Sequence, residues 1–205
     1  MHNHLYIMRH GRTVLDKAKR SDGYIDLPLS EQGQAGVVAA ADEHLKGIPF
    51  QHLYAPDLKR TQETGHIISS GMPSQPPVHT HNGLKTWNLG YLSGAHKKFN
   101  KRIVQYLLDN PNQTPLGGEA YGKFTHTFDA AIDEQKRGLT DGSLQGPILN
   151  ICSGSNCRRL GETLLHNRQA LNIDEAGIIL LYPDESGQWG AAIISGGADD
   201  NDEIS

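Results

Sequence analysis

The chain is poor in cysteine, with only Cys152 and Cys157 among its 205 residues. Two cysteines five positions apart cannot supply the bridges that a small disulfide-stabilised secreted domain needs. The first residues also show no basic segment followed by a long apolar stretch, which a secretion signal would have. We therefore predict a cytoplasmic location.

Long apolar runs and an excess of basic residues are absent as well. No apolar run approaches the roughly 18 residues that a membrane-spanning helix needs. The 19 Lys and Arg residues are outnumbered by 23 Asp and Glu residues and form no basic block, which argues against nucleic acid as a partner. With 37% hydrophobic residues, the sequence predicts one globular α/β domain over residues 1–197. Residues 198–205 are acidic and are predicted to form a frayed tail.

The most informative stretch that is present runs over residues 5–13. Its apolar segment stops abruptly at Arg9, His10 and Gly11, as expected for a buried strand of a parallel sheet. In open α/β sheets, ligands bind beyond the carboxyl ends of such strands. A guanidinium matches phosphate oxygens, an imidazole is a nucleophile near neutral pH, and glycine lets the backbone approach an anion. Taken alone, however, this tripeptide is more typical of an ordinary solvated strand end.

A second arginine follows a second predicted strand. Residues 53–54 predict a short strand, and the segment after it predicts a helix capped by Asp57, with Arg60 on its first turn. Upstream, Ser30 is the predicted N-cap of an earlier helix. A buried phosphate dianion needs more than one cation. We therefore expect Arg9 and Arg60 to share one pocket.

Three motifs occur in a fixed order. They are Arg-His-Gly-x-Thr at residues 9–13, Gly-x-x-Asp-x-Pro-Leu-Ser-x-x-Gly-x-Ala at 23–35, and Pro-x-Leu-x-Arg-Thr-x-x-Thr at 56–64. This ordered set resembles the histidine phosphatase superfamily, the phosphoglycerate mutase-like proteins. The resemblance implies a three-layer αβα sandwich with helices on both faces of a mainly parallel sheet. It also implies that neither a metal ion nor another cofactor is needed.

The same resemblance implies a mechanism and a set of site residues. His10 is the expected nucleophile that forms a phosphohistidine, and Arg9 and Arg60 are expected to hold the phosphoryl oxygens. The substrate class is a phosphomonoester, carried by a small molecule or by a phosphoprotein. No oligomeric state follows from the resemblance. The phosphate-binding positions expected beside these three residues are Gly11, Thr13, Asp16, Gly23, Ser153 and Gly154.

Several positions depart from the family pattern. Thr86 stands where relatives have a Glu, Asn88 where some have an Asp, Ser153 where they have a second His, and Asp16 where many have an Asn. A general acid is worth about 10² to 10⁴ in rate, and neither Thr86 nor Asn88 carries a carboxyl. Glu119, in a Gly-Glu-Ala segment similar to the family's Gly-Glu-Ser, is a candidate proton donor. We expect a weakened phosphatase, with a catalytically inactive phosphate-binding protein as the alternative.

A different chemistry is open at Cys152. Residues 152–158 spell Cys, five residues, Arg between a predicted strand and a predicted helix. Cysteine phosphatases use this arrangement, in which backbone N–H groups hold the phosphate and lower the pKa of the thiol, while Arg158 would clasp the oxygens. Such enzymes generally need an Asp-Pro acid, and the chain has no Asp-Pro dipeptide. We therefore rank this hypothesis below the histidine mechanism.

The remaining patterns concern the scaffold. Residues 94–137 predict an insertion or lid, in which two apolar sets recur at helical spacing and predict buried faces. These sets are Phe99, Ile103 and Leu107, and then Phe124, Phe128 and Ile132. The histidines near this segment suit no zinc pattern and are predicted to lie at the surface: His79, His81 and His126. A strand at 148–151 precedes a helix with apolar positions at Leu160, Leu164 and Leu165, and residues 178–182 and 189–194 predict a hairpin at the edge of the sheet.

Overall fold

The structure is a computed structural model that describes residues 3–164 and 173–197. The strands of this part are β1 (Leu5–Arg9), β2 (His52–Ala55), β3 (Val78–Thr80), β4 (Ile148–Cys152), β5 (Ile173–Pro183) and β6 (Trp189–Gly197). The α-helices are α1 (Val14–Lys17), α2 (Glu31–Ala40), α3 (Lys59–Gly71), α4 (Lys97–Asp109), α5 (Tyr121–Asp141) and α6 (Gly154–Leu164). Short π- and 3₁₀-helical turns cover Ala41–Leu45, Asn82–Leu84 and Gly90–Leu92.

The described strands form one mixed sheet in the order β3-β2-β4-β1-β5-β6. β1 pairs in parallel with β4, β4 with β2, and β2 with β3. β5 runs antiparallel to β1, and β6 runs antiparallel to β5. The predicted mainly parallel sheet is confirmed, and so is the predicted hairpin at its edge.

Apolar side chains cover both faces of this sheet. On β1, Ile7 belongs to one buried cluster and the next residue, Met8, to another; Ile148 and Leu149 on β4 divide in the same way. All four side chains are fully buried. Because successive strand residues point to opposite faces, each face carries its own core. The predicted three-layer arrangement is confirmed.

The register of the central strands brings three loops together. Arg9 at the end of β1 lies opposite Cys152 at the end of β4, and the backbone N–H of His10 donates to the Cys152 carbonyl at 2.9 Å. β4 also pairs with β2, whose last residue, Ala55, leads into the helix that carries Arg60. The residues that follow β1, β2 and β4 therefore gather at one edge of the sheet, where α/β proteins bind ligands.

The starts of α2 and α3 show one confirmed prediction and one wrong one. Ser30 caps α2, since its Oγ accepts a hydrogen bond from the Gly33 N–H at 3.1 Å. Asp57 does not cap α3: the N-cap residue is Leu58, which makes no side-chain hydrogen bond to the helix. The Asp57 carboxylate pairs with Lys85 instead. An ammonium is a stronger partner for a carboxylate than a backbone N–H.

The apolar stripe predicted on α4 is only partly buried. Leu107 is 5% exposed, but Phe99 is 79% and Ile103 49% exposed, so their predicted burial is wrong. Asn100 takes the inward position next to Phe99, and its Nδ2 donates to the Leu92 carbonyl at 3.2 Å. With Asn100 held inward, the geometry of the helix turns Phe99 and Ile103 outward.

The apolar face predicted on α5 is buried. Phe124, Phe128 and Ile132 are 3%, 1% and 3% exposed, and the rings of Phe124 and Phe128 stack with centroids 6.3 Å apart. The burial predicted for this helix is confirmed.

We expect Phe128→Ala to lower the free energy of unfolding by about 3–5 kcal/mol, because the change removes buried apolar surface and leaves a cavity. Denaturant unfolding measures the loss. The matched control is Phe99→Ala, the same change on an exposed side chain, which we expect to matter by less than about 0.5 kcal/mol. Equal losses in the two variants would contradict the assigned burial.

Some predictions fall outside the described residues. Leu160 of α6 is 3% exposed, as predicted, but Leu165 and the acidic tail at 198–205 lie outside the described ranges. The division into one domain over 1–197 with a lid at 94–137 stays a prediction. Among the helices in residues 3–164 and 173–197, none has both the length and the apolar character that a membrane crossing requires.

Candidate active site

A cavity of about 630 Å³ lies where the loops after β1, β2 and β4 meet. The predicted site residues that line it are Arg9, His10, Asp16, Gly23, Arg60, Ser153 and Gly154. Gly11, Thr13 and Glu119 are not among the described residues that line it. The structure therefore brings most of the predicted set together around one space.

The charge of this cavity is opposite to that of the whole chain. The chain carries a formal net charge of -4, but among the described residues that line the cavity six basic side chains stand against two carboxylates. The basic residues are Arg9, Arg60, Lys97, Lys98, Lys101 and Arg158, and the acidic ones are Asp16 and Asp22. A cleft lined mainly by one sign of charge concentrates ligands of the opposite sign. The cavity is therefore suited to an anion.

His10 is buried immediately after β1, with 2% of its surface exposed. Its Nδ1 lies 2.9 Å from the Gly11 carbonyl oxygen. Because a carbonyl can only accept, the proton is assigned to Nδ1. Nε2 is then unprotonated, and the Nε–H of Arg60 donates to it at 3.2 Å. Burial and the charges of Arg60 and Arg9 lower the pKa of His10 to about 3, so the imidazole is neutral near pH 7.

Arg60, on the first turn of α3, has no exposed surface. Its Nη1 and Nη2 donate to the carbonyl oxygens of Ile25 and Gly23 at 2.9 and 2.8 Å. Gly23 has φ +50°, a left-handed conformation that glycine adopts without steric cost. Burial lowers the pKa of Arg60, but a guanidinium stays cationic in proteins. These bonds hold a fixed positive charge against His10.

Arg9 is held mainly by carboxylates. Its Nη2 donates to Asp16 at 3.2 Å and to Glu175 at 2.7 Å, and its Nη1 donates to the Ile173 carbonyl at 2.7 Å. Glu175 comes from an irregular part of β5, where Ala176 has φ +64°. A non-glycine residue in the left-handed region is uncommon and marks a bend in the strand. This bend places Glu175 within reach of Arg9.

Two buried donors at the cavity lack an acceptor. Within the described part of the chain, Arg9 Nε and Ser153 Oγ have no hydrogen-bond partner. Leaving a buried donor unsatisfied costs about 1–3 kcal/mol. Both residues line the same cavity as His10. An anion bound there that accepts from both would remove this cost.

Asp16 is an ionised carboxylate in this site. The Thr13 N–H and Oγ donate to it at 3.2 and 3.1 Å, and it pairs with Arg9 and Lys97 at 3.2 and 3.6 Å. Burial acts to raise the pKa of Asp16, but the charges of Arg9 and Lys97 and the hydrogen bond from the Thr13 N–H bring it below its ordinary value. Asp16 therefore remains negative and neutralises part of the charge of Arg9.

Asp22, directly before Gly23, was missed by the sequence analysis. Its Oδ1 lies 3.0 Å from Thr13 Oγ, whose single proton is shared between Asp22 and Asp16. Its Oδ2 lies 3.9 Å from Nε2 of His10 and 3.7 Å from Nε of Arg60. Burial, and then the negative charge of Asp16, raise the pKa of Asp22 to about 6. A carboxyl group that titrates near neutrality therefore stands beside the candidate nucleophile.

His10, Asp16 and Asp22 are also a grouping that could hold a metal ion, since their donor atoms lie within 4.8 Å of one another. The surroundings oppose this use. The Nε2 lone pair already accepts from Arg60, Asp16 pairs with Arg9, and both guanidinium groups would repel a metal cation. A reaction that needs no metal stays our prediction.

Three predicted residues have other partners. The N–H of Gly11 donates to Thr64 Oγ at 3.2 Å. A Cβ at Gly11 would lie 2.7 Å from the Gly33 carbonyl oxygen, so this glycine allows the β1 loop to pack on α2. Thr13 holds the two aspartates. Glu119 accepts from the Asn88 N–H at 3.1 Å and lines a separate cavity of about 40 Å³. Their roles toward phosphate or leaving group stay predictions.

The geometry gives no support to cysteine chemistry. Cys152 is fully buried, and its Sγ lies 3.8 Å from that of Cys157. Burial raises the pKa of the Cys152 thiol well above its ordinary value. Cys152 is not among the described residues that line the cavity, although Arg158 is. A buried, protonated thiol away from the cavity is a poor nucleophile.

Several residues that line the cavity could have been identified from the sequence, whereas the contact between Glu175 and Arg9 could not. Asp22 directly precedes the second motif at 23–35, and Lys97, Lys98 and Lys101 recur on one stretch of a predicted helix. Glu175 has no local signal, because its contact with Arg9 depends on β5 folding back antiparallel to β1.

The comparison with protein families decides the relationship. The family model of the histidine phosphatase superfamily (branch 1) matches residues 5–189. The chain belongs to this superfamily. The resemblance predicted from three motifs is therefore confirmed, and superfamily membership covers nearly the whole chain.

Curated relatives match this superfamily member over shorter stretches. The 2,3-bisphosphoglycerate-dependent phosphoglycerate mutase of Methanosarcina mazei is 43% identical over 68 residues, 33% of this chain and 28% of the relative. Phosphoglycerate mutase-like protein 4 of Arabidopsis thaliana is 29% identical over 125 residues, 58% of this chain and 54% of the relative. The fructose-2,6-bisphosphatase TIGAR of Bos taurus is 46% identical over 65 residues, 31% of this chain and 24% of the relative. The chain thus spans between 24% and 54% of these relatives.

Solved structures match over more of the chain. A mycobacterial glucosyl-3-phosphoglycerate phosphatase in complex with VO3 superposes with a TM-score of 0.78 at 20% identity, covering 95% of this chain and 99% of that one. A phosphoglycerate mutase from Bacillus anthracis gives 0.76 at 22% identity, covering 93% and 92%. At such identities the likeness shows the fold, and it confirms the phosphoglycerate mutase-like architecture.

Proposed function

We propose that this superfamily member hydrolyses phosphomonoesters through a phosphohistidine at His10. The observation that carries the proposal is the state of His10: a neutral, buried imidazole whose unprotonated Nε2 faces Arg60. The cavity around it is lined by six basic side chains from the described part of the chain. Phosphatases and mutases among the relatives support the same reaction type. The cavity volume of about 630 Å³ lies within the usual range for small-molecule sites. We therefore favour a phosphorylated small molecule over a phosphoprotein.

The geometry supports each part of the phosphoryl transfer. The Nε2 lone pair of His10 attacks phosphorus, and the Gly11 carbonyl, which accepts from Nδ1–H, stabilises the positive charge that develops on the ring. Arg60 exchanges its bond to Nε2 for one to a phosphoryl oxygen. Arg9 Nε and Ser153 Oγ, which have no partner in the described part of the chain, are available to the remaining oxygens. Water then releases phosphate from the imidazole.

Trapping the covalent intermediate tests this proposal. Purified protein is mixed with nitrophenyl phosphate, quenched in alkali, and mapped by mass spectrometry. We expect a phosphoryl group on His10 that is stable in base and released by acid, and that is lost in His10→Ala. The matched control is His66→Ala, at an exposed histidine on α3, which should label as the wild type does. Turnover that persists in His10→Ala would overturn the proposal.

A second candidate function is phosphate binding without turnover. It is favoured by one observation: the Nη groups of Arg9 are already engaged by Asp16, Glu175 and a carbonyl. A guanidinium that is largely neutralised can retain an anion and still stabilise the transition state poorly. Calorimetry that shows phosphate binding, together with no phosphoenzyme and no phosphate release from any monoester tested, would favour this function.

A further inference from the structure

The reaction proposed above lacks a proton source at the positions where relatives carry one. Thr86 lines the cavity, but its hydroxyl lies 2.9 Å from Ser155 Oγ and carries no acidic proton. Glu119 is bound to the Asn88 N–H and lines the other cavity. Among the described residues that line the His10 cavity, only Asp16 and Asp22 carry carboxyl groups.

These two carboxyl groups differ in the ion pairs and hydrogen bonds that their oxygen atoms make. Asp16 forms ion pairs with Arg9 and Lys97 and accepts from Thr13, so it is held as the anion and has no proton to give. Within residues 3–164 and 173–197, Asp22 uses only Oδ1 in a side-chain hydrogen bond, with Thr13 Oγ. Its Oδ2 lies 3.9 Å from Nε2 of His10 and beyond hydrogen-bond range of Arg60 Nε, at 3.7 Å. This oxygen is turned toward the reacting nitrogen.

The position of Oδ2 fits the departing oxygen of an in-line transfer. With attacking and leaving atoms on opposite sides of phosphorus, the leaving oxygen lies about 5 Å from Nε2. A hydrogen bond of about 2.8 Å from Oδ2 to that oxygen is compatible with an Oδ2–Nε2 distance of 3.9 Å.

We propose that Asp22 is a catalytic residue that donates the proton to the leaving oxygen. The proposal rests on the phosphohistidine mechanism at His10. The N–P bond forms from the Nε2 lone pair as the P–O bond breaks, and the proton of Asp22 passes to the leaving oxygen, which departs as the alcohol. In the second half, the Asp22 carboxylate takes a proton from the attacking water. The P–N bond then breaks, its electron pair returns to Nε2, and phosphate leaves with Asp22 protonated again.

The groups around Asp22 determine whether it carries this proton. His10 approaches from the end of β1, Thr13 and Asp16 from the start of α1, Arg60 from α3, and Lys97 from α4. Burial and Asp16 favour the protonated acid, whereas Arg60, Thr13 and Lys97 oppose it, with a net rise of the pKa to about 6. The acid form is therefore populated near and below this pH.

The test compares leaving groups in Asp22→Asn. Nitrophenolate can leave as the anion, whereas an alkoxide is a poor leaving group and must be protonated as it departs. We expect kcat/KM for an alkyl phosphate such as glycerol phosphate to fall by about 10² to 10⁴. The first-turnover burst of nitrophenolate should be unchanged within error, and phosphoenzyme should accumulate because water is no longer activated. Asp42→Asn, at an exposed carboxylate, is the matched control and should retain wild-type rates on both substrates.

The possible outcomes distinguish failure of the role inferred for Asp22 from failure of the proposed function. One outcome is that Asp22→Asn still forms phosphoenzyme while its rate falls by the same factor with both substrates. In that case Asp22 contributes to binding or folding, so the inference is wrong and the proposed function stands. If Asp22→Asn loses nothing on the alkyl phosphate, another residue donates. If wild type forms no phosphoenzyme with nitrophenyl phosphate, both proposals are overturned. Partial recovery of alkyl phosphate turnover in Asp22→Glu, with the burst again unchanged, would support a proton-donor role.

Discussion

Arg60→Gln is expected to lower kcat/KM for phosphomonoesters by about 10² to 10³, the usual cost of removing one preorganised donor to a transition-state oxyanion. The expected loss is large because Arg60 is fully buried and fixed by two carbonyl groups, with its Nε–H 3.2 Å from Nε2 of His10. Glutamine retains donors but no charge. Phosphate affinity should fall by about tenfold or more, since hydrogen bonds to charged groups are worth about 1.5–3 kcal/mol.

Two comparisons make this result interpretable. Removing one partner of a buried charge pair also destabilises a protein, by about 3–5 kcal/mol, so thermal unfolding is measured beside the kinetics and assays are run well below the midpoint. Arg137→Gln, at an exposed arginine on α5, should leave both readouts unchanged. Isothermal calorimetry that finds wild-type phosphate affinity in a folded Arg60→Gln protein would show that the pocket is assigned wrongly.

The turnover of alkyl phosphates is expected to be high in acid and to fall above pH 6. Asp22 acts as an acid, so it must hold its proton, and its raised pKa of about 6 extends that form upward from the ordinary range near 4. His10 acts as a nucleophile, so it must lack the Nε2 proton, and its lowered pKa of about 3 keeps it competent in acid. We expect a plateau between these two pH values and a decline of about tenfold per pH unit above 6, to about 10² below the plateau at pH 8.

The substrate complicates this profile, because the second ionisation of a phosphomonoester also lies near pH 6. The contributions of Asp22 and of the substrate are separated by measuring kcat of Asp22→Asn over the same pH range with the same alkyl phosphate. Loss of the limb above pH 6 in this variant assigns it to Asp22, whereas a limb that persists assigns it to the substrate. A wild-type optimum near pH 8 would contradict the assignment of the proton donor to Asp22, whose pKa of about 6 leaves it deprotonated there.

The sequence alone was sufficient to predict the α/β scaffold and the site residues that lie at the end of a predicted strand or within a motif. The apolar run of β1 predicts a buried strand that ends at Arg9 and His10, and the order of three motifs predicts the superfamily; both are confirmed. These features are local, because strand burial and cap chemistry follow from neighbouring residues. The local argument failed where a stronger partner was distant, as at Asp57, which pairs with Lys85, and where one polar side chain set the rotation of a helix, as at Asn100.

Only the tertiary structure decided the ionisation of the site and the residues that complete it. Glu175 reaches Arg9 through the antiparallel return of β5, more than 160 residues along the chain, and Lys97 reaches Asp16 from another helix. The raised pKa of Asp22 and the lowered pKa of His10 both depend first on burial. Desolvation and charge–charge interaction depend on distances in space, which sequence spacing does not contain. The motif therefore determined which residue is the candidate nucleophile, and the packing around it determined that His10 is neutral and that Asp22 is the carboxyl group beside it.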